Sequence, residues 1–512
     1  MEYYISIILT VIIVGLMAIL YLVKNENYFK KHGIPYETPL PIFGNMFQTL
    51  FRITPHMDRV RNFYYINPEA KYVGFYDFNS PVIMIRDPEL IKNITLKYFD
   101  HFVDHRAFAD PIQDPLMGNN LFLLRGNHWR GVRSLLSPAF TPSKLKPMFK
   151  FMMECSRDLA NYMVEQMQTQ KTLTINSKDA FTRYTNDVIA TCAFGLNVNS
   201  TRNPLNEFYV LGRKATNFEG LLSLKFFLVS SFPKISKILN IKFMDEKIEN
   251  YFHKLVSDTV ALRDEKGISR PDMIQLMMES RKNIHNEIPN LTLQEMTSQA
   301  FVFFFGGFDT SSSLMCFLAH EISINPEVQA KLHDEIDEVH KKYNGEPSYE
   351  AINSMQYLDA VVNETLRLYP VAGILDRMCT KKFELPPTLP GTKPFELQPG
   401  DIIMISVYAL QTDAKYYPDP DKFIPERFIE DPRKNLNSSI YMPFGNGPRM
   451  CIGYRFALIE TKVLIYYLML KCILKPSKKM IFPLRFSASS FPILPKGGFW
   501  LDLQPRIVND KL

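Results

Sequence analysis

No two cysteines in this sequence stand at the spacing of a C-x-x-C pair, which excludes zinc sites built on paired ligands. The longer C-x-x-C-H is missing too, and with it any covalently attached haem. The six cysteines (Cys155, Cys192, Cys316, Cys379, Cys451 and Cys472) are scattered over roughly 300 residues, whereas disulfide scaffolds are short and cysteine-dense. They read as free thiols in a reducing compartment, five of them as small buried hydrophobes. Charge of one sign is scarce as well. The 59 Lys and Arg against 53 Asp and Glu leave +6 over 512 residues without a basic stripe, so a nucleic-acid partner is excluded. Beyond the first 45 residues there is no Gly/Ser-rich linker, charge block or repeat period, so a length that suggests about three domains reads as one body. What the chain does have is a 46% hydrophobic share and 39 Phe, enough for a large apolar interior or pocket.

Residues Tyr3 to Val23 form an apolar run without a charge, long enough to cross a bilayer core of about 30 Å. Tyr3, Tyr4 and Tyr21 lie near its ends, where aromatic rings favour the headgroup zone, and Lys24, Lys30 and Lys31 follow it. The positive-inside bias predicts an uncleaved anchor with everything after Lys24 in the cytosol. The alternative, a cleaved signal peptide, needs a basic start and a small-residue cleavage site; here the start is Glu2 and the run ends in Tyr-Leu-Val-Lys. Pro35, Pro39 and Pro41 then stiffen the chain, either as an arm that holds the body to the bilayer or as a plain loop.

Helical signals dominate the middle of the body. Trp129 to Leu136 opens an amphipathic run, and Thr292-Leu293-Gln294-Glu295 looks like a capping box in front of a long apolar helix ended by Asn325-Pro326. Pro326 to Tyr343 reads as a charged surface helix, and Met355 to Tyr369 as another, stopped by Pro370. Asp401 to Val407 has strand character, and Pro495-Lys496-Gly497-Gly498 between two apolar runs suggests a hairpin.

The segment Phe444-Gly445-Asn446-Gly447-Pro448-Arg449-Met450-Cys451-Ile452-Gly453 carries chemistry. A thiolate needs a lowered pKa and donors around sulfur, and glycines let backbone N–H groups turn toward it. Arg449 offers a fixed charge suited to a carboxylate. Tyr454 to Leu470 looks helical, which sets the sulfur near a helix N-terminus. A glycine turn beside a buried cysteine is the bland reading; a thiolate ligand to a metal or haem is the favoured one.

This pattern, F-x-x-G-x-R-x-C-x-G, resembles that of the cytochrome P450 family of haem-thiolate monooxygenases, and the resemblance runs along essentially the whole chain. It implies a mainly α-helical fold with small β-sheets, preceded by one N-terminal transmembrane helix. The divisions expected are an anchor at 3–23, a proline-rich linker at 24–45 and a single haem-binding catalytic domain at 46–512. It implies a non-covalent haem b with Cys451 as axial ligand and Phe444, Arg449 and Gly453 around it. Trp129 and Arg133, one helical turn apart, match its W-x-x-x-R that binds a haem propionate, and Arg377 matches another propionate position; His105 and Arg106 are further candidates.

Phe305-Gly306-Gly307-Phe308-Asp309-Thr310 interrupts the long apolar helix. Each glycine costs about 1 kcal/mol relative to alanine there, which either close approach of a flat ligand or a tight helix crossing could offset. A threonine hydroxyl can bond back to a carbonyl near Gly306 and open the helix. In the family the acid–alcohol pair, here Asp309 and Thr310, is catalytic, passing protons to dioxygen opposite the cysteine. Asp309 as a mere cap or salt-bridge partner is the alternative, and alanine is usual where Gly306 stands. Glu364 and Arg367 lie three apart on one helix face, and by resemblance they meet Arg427 of Pro425-Glu426-Arg427-Phe428 in a buried structural network.

The substrate pocket is expected from Phe301, Phe304, Phe305 and Phe308, from Val371 to Leu375, and from Ser487 to Ile493 including Phe491, with 102–123 and 206–227 as lid. For the aromatic cluster, plain core is an equal reading. Phe226 to Val229 is a second apolar patch that could dip into a membrane. The implied partners are an NADPH-cytochrome P450 reductase, with Lys144, Lys146 and Lys150 as candidate contacts, cytochrome b5 as a second electron donor, and a lipophilic small molecule. The implied location is the endoplasmic reticulum membrane. The stretches 453–462 and 497–506 look most like insect detoxification members, so foreign compounds such as plant toxins or insecticides are the expected substrates. An endogenous-lipid or hormone hydroxylase of the same family, and a haem-based gas sensor or carrier, are the rival readings.

Overall fold

The computed structural model describes residues 27–168, 170–217, 221–270, 272–280, 291–430, 439–490 and 492–506, together with residue 15. The expected anchor at 3–23, residue 15 apart, and Phe491 lie outside the described residues. The longer helices are α1 (Gly126–Leu136), α2 (Pro142–Met167), α3 (Ser177–Ile189), α4 (Glu207–Thr216), α5 (Leu221–Ser231), α6 (Glu246–Lys266), α7 (Leu293–Ile324), α8 (Pro326–Lys342), α9 (Gln356–Leu368) and α10 (Tyr454–Lys471). The strands are β1 (Tyr72–Asp77), β2 (Ser80–Ile85), β3 (Leu173–Asn176), β4 (Ile374–Met378), β5 (Phe383–Leu385), β6 (Phe395–Leu397), β7 (Ile402–Ser406), β8 (Cys472–Pro476) and β9 (Trp500–Pro505).

Helix ends fall where local chemistry puts them. Thr292 Oγ1 accepts from the Glu295 N–H at 3.2 Å while Glu295 Oε2 accepts from the Thr292 N–H at 2.8 Å, the reciprocal box that starts α7. Pro326 cannot continue that ladder and opens α8 instead. α9 stops at Tyr369, before Pro370.

α7 and α10 form the spine. Ser311 to Ser323 of α7 and Ile459 to Leu470 of α10 are buried without a break, and helices buried all round belong in a core. α7 packs against α3, α4, α6, α9 and α10. Among the described residues it is the one helix long and apolar enough to cross a membrane, and its burial accounts for that composition.

The sheets are small. One has the order β1-β2-β7-β4, with β2 parallel to β7 and the other pairs antiparallel; the second is β3-β9-β8, and β5 pairs with β6. The first carries its own apolar core, in which Phe63 stacks on Phe75 at 4.4 Å. The expected hairpin about 495–498 is not formed. Residues 495–498 do turn, with Gly498 N–H donating to Pro495 O at 3.1 Å. The strand beyond, β9, pairs with β3 and β8, where Leu501 and Leu503 reach the core. The segment before the turn pairs back on 485–487.

Candidate active site

Cys451 ends a loop closed by its own N–H, which donates to Phe444 O at 2.8 Å. The turn within the loop needs glycine at Gly447, which has φ +73 and where a Cβ would stand 2.0 Å from the Thr95 carbonyl oxygen. Asn446 anchors the same turn, accepting from the Gly447 N–H at 2.9 Å and donating to Thr95 Oγ1 at 3.2 Å. Gly453 caps α10 two residues beyond the cysteine. Burial raises the Cys451 thiol, while the Gly453 N–H and the charge of Arg133 favour thiolate. Its side chain is nevertheless exposed, so it borders an opening inside the protein.

Three guanidinium groups converge beside it. Arg449 lies over the Trp129 ring at 4.0 Å and donates to the carbonyls of Val103 (2.8 Å), Leu124 (2.7 Å), Leu121 and Phe122 (both 3.3 Å). Its fork is thus largely taken up by backbone, and it gives the site charge more than free N–H groups. Burial and Arg377 push Arg449 down to about 9, with Asp104 and Asp376 opposing them. Arg377 is buried, and its Nε has no hydrogen-bond partner among the described residues. The Arg133 guanidinium and the Trp129 indole N–H make no hydrogen bond there either. A buried donor without an acceptor is costly, and Arg377 Nε, together with the uncommitted donors of Arg133 and Trp129 next to a cysteine, fits the two carboxylates of a haem. His105 and Arg106 go elsewhere. His105 Nδ1 bonds Asp376 Oδ1 at 2.9 Å, and Arg106 pairs with Asp77 and donates to Ser230 O at 2.9 Å.

The glycine pair of α7 divides its duties. A Cβ on Gly307 would stand 2.5 Å from Ile189 Cδ1 of α3, so that glycine serves a tight helix crossing; one on Gly306 meets nothing within 4 Å. Gly306 and Thr310 are the two exposed residues of α7. Phe303, on the same face, packs on Phe140 at 5.4 Å, and Phe140 in turn neighbours Gly453. The open side of α7 therefore looks across toward the cysteine loop. Thr310 Oγ1 donates to Gly306 O at 2.5 Å, the expected back-bond, yet α7 stays helical throughout and the expected local opening is not seen. Asp309 Oδ1 is paired with Lys178 of α3 at 2.9 Å, so the acid is held as a salt-bridge partner.

Phe301, Phe304 and Phe308 are 0–1% exposed and pack against Phe252, Phe208 and Tyr209 of α6 and α4. They are core, on the face of α7 opposite Gly306 and Thr310, because three- and four-residue steps carry one stripe to one side. Phe305, against Phe301 at 5.8 Å, is only partly buried. Val371 packs at the margin of the core, a Cβ added at Gly445 of the cysteine loop would meet Leu375 Cδ2 at 3.7 Å, and one added at Gly373 would press on Met57 and Ile493. The two lid segments meet at Phe108 and Phe226, 5.2 Å apart. That contact and the burial of Val229 leave the 226–229 patch largely covered; exposed apolar side chains stand instead at Ile235, Ile238 and Leu239.

Glu364 and Arg367 are fully buried and paired through two bonds of 2.7 and 2.8 Å, and Arg427 Nε lies 3.5 Å from Glu364 Oε1. The three side chains are thus brought together in the core. Lys178, in contrast, escaped sequence reasoning. It stands 131 residues before Asp309 and carries no local signal beyond being a lysine in the first turn of a helix.

A helical fold in which an accessible cysteine faces an open, threonine-bearing stretch of a core helix, with unsatisfied cations between, defines a haem-thiolate protein. The comparisons agree: the cytochrome P450 family profile matches residues 34–501, and the chain belongs to that family. It is similar to cytochrome P450 9e2 of Blattella germanica, 42% identical over 94% of each chain. Cytochrome P450 9b2 of Drosophila melanogaster is 36% identical over 98% of this chain and 99% of its own. Cytochrome P450 6j1 of Blattella germanica is 34% identical over 97% of this chain and 98% of its own. The protein is a monooxygenase of this insect type.

Proposed function

We propose that this chain is a membrane-anchored monooxygenase that inserts one oxygen atom of O2 into lipophilic foreign compounds, such as plant toxins or insecticides. The observation that carries the haem site is the set of unpaired donors on Trp129, Arg133 and Arg377 beside the accessible Cys451. A haem b bound there supplies the iron at which dioxygen is reduced with two electrons. Cys451 is its thiolate ligand, with Phe444, Arg449 and Gly453 shaping the loop, and Arg133, Arg377 and Trp129 orient its propionates. Thr310 presents its hydroxyl on the open face of α7, and Asp309, held by Lys178, passes protons toward it from the α3 side. Val371, Leu375 and the 487–493 segment line the substrate space. Electrons come from NADPH through a flavoprotein reductase, with cytochrome b5 as a second donor. Lys144 and Lys150 stand exposed on α2 for such an acidic partner, while Lys146 is engaged with Glu350. The apolar run at 3–23 anchors the protein once in the endoplasmic reticulum membrane, and 24–45 links it to a cytosolic catalytic domain at 46–512.

The ferrous protein under carbon monoxide tests the ligand. A Soret band far to the red of that of a histidine-ligated haem is expected, and its absence in folded protein would overturn the thiolate assignment. Thr310→Ala should divert reducing equivalents from product to hydrogen peroxide; unchanged coupling would remove Thr310 from the relay. A gas sensor or carrier would show no reductase-dependent NADPH consumption.

A further inference from the structure

A groove of about 880 Å³ opens between the start of the body and the segment that follows β8, and it takes in Ser487, Ala488 and Ser489 at the beginning of the 487–493 segment. Three cations stand on it, Arg52, Arg485 and Lys496, all exposed. Among the described residues none of them has an ion-pair partner. The acids on the groove are Asp58 and Asp421, and Arg61 is within electrostatic reach of both. On the groove itself three cations thus face two acids, and Arg61 offsets part of the acids' charge.

The backbone makes this imbalance sharper. Phe486 pairs antiparallel with Pro495, and the Lys496 N–H donates to Arg485 O at 2.7 Å, so the two cationic residues sit directly opposite each other. Like charges in that relation are destabilising. Arg52 occupies a left-handed position, φ +56, that glycine or asparagine would fill at less strain. Three cations held in this way, two of them against mutual repulsion, are suited to an anion shared between them. Beside them the walls turn apolar, with Ile53, Leu484, Phe486 and the ring of Tyr408. Tyr369, also on the groove, stacks on Phe317 of α7 at 4.4 Å.

We propose that this groove binds the acidic head of a single-chain amphiphile, a long-chain carboxylate, between Arg485, Lys496 and Arg52, with its chain along the apolar wall. The cationic end of the groove is distinct from the residues proposed to hold the haem, although the groove borders the 487–493 segment, and the proposal does not rest on the xenobiotic reading.

Dodecanoate is titrated calorimetrically into the holoenzyme whose haem ligand position is already filled by a tight azole, so that the substrate space does not contribute. One saturable site is expected, weakened about tenfold or more in Arg485→Gln/Lys496→Gln and by rising salt. Lys496→Glu, which supplies Arg485 with an internal partner, should abolish binding while leaving the azole spectrum of the haem unchanged. Equal affinity in the variants, equal binding of neutral dodecanol, no saturable binding, or binding to phosphatidic acid vesicles but not to free dodecanoate would each overturn the proposal.

Discussion

Arg367 uses all five of its N–H donors. Two go to Glu364, and the others to the carbonyls of Gln411 (2.9 Å), Pro420 (2.8 Å) and Lys422 (3.0 Å). The Ile424 N–H donates to Glu364 Oε1 at 2.9 Å, so one buried pair ties α9 to the chain that leads to the cysteine loop. Arg367→Met leaves the buried Glu364 with only the more distant Arg427 to oppose its charge, and should lower stability by about 3–5 kcal/mol. Urea denaturation with haem retention measures it, and Glu364→Gln in the same chain should recover part of the loss. Glu321 behaves differently. Burial pushes its carboxyl up to about 7 against the hydrogen bonds from Tyr369 (2.6 Å) and Asn325. At low pH the folded and unfolded chains both hold that proton. As pH rises from the usual carboxylate value of 4.5 toward 7 the unfolded chain releases it first, so stability falls across this window and levels off above it. Glu321→Gln should remove that fall, on the order of 3 kcal/mol, as read from denaturation midpoints at about pH 5 and pH 8. A wild-type midpoint that does not decline between them would show the carboxyl ionising normally.

At the scale of elements, the two glycines of α7 give opposite expectations for one substitution. Gly306→Ala adds a methyl to open space and gains helix propensity, so it should stabilise by up to about 1 kcal/mol. Gly307→Ala drives a methyl against buried Ile189 and should destabilise by about 1–2 kcal/mol. Thermal melts of the two variants decide, and the same sign in both would mean that α7 and α3 are not packed as described. Helices were legible in the sequence wherever their ends carry chemistry, as at Thr292, Pro326 and Pro370. The false hairpin at 495–498 had a correct turn, but a turn does not say which strand lies next, and β9 found its partners in β8 and in β3 more than 300 residues away. The phenylalanines of α7 fail for a related reason. Spacing shows that Phe301, Phe304 and Phe308 share a face, but only the packing of α4 and α6 shows that this face is core and that Gly306 and Thr310 look the other way.

For the whole molecule, the site was legible because its parts are compact motifs: a loop of ten residues for Cys451, one helical turn for Trp129 and Arg133, three residues for Glu364 and Arg367. What joins them was not, since Lys178 with Asp309, Thr95 with Gly447 and Val103 with Arg449 are contacts across the chain. Their assembly sets a condition on the entire fold. Arg133, Arg377 and Arg449 are brought together around one space, and burial and mutual repulsion fall on Arg449. Arg377 spends one bond on the Asp376 carbonyl at 2.6 Å and keeps its Nε without a partner. Asp376 keeps its own bonds from His105 and the Arg106 N–H whether or not Arg377 is present. Asp104, 3.6 Å from Arg449, and Asp376 offset only part of this charge, and the carboxylates of a bound haem would offset more, which raises stability by linkage. Arg377→Met should therefore act with opposite signs in the two states. The haem-free protein should unfold at higher denaturant, because a buried guanidinium with an unsatisfied Nε is gone. The haem-loaded protein should release haem to a globin scavenger about tenfold faster, because a propionate has lost its charge-assisted partner. A fall of both quantities together would make Arg377 an ordinary packing residue, and the cluster would lose its reason for being cationic.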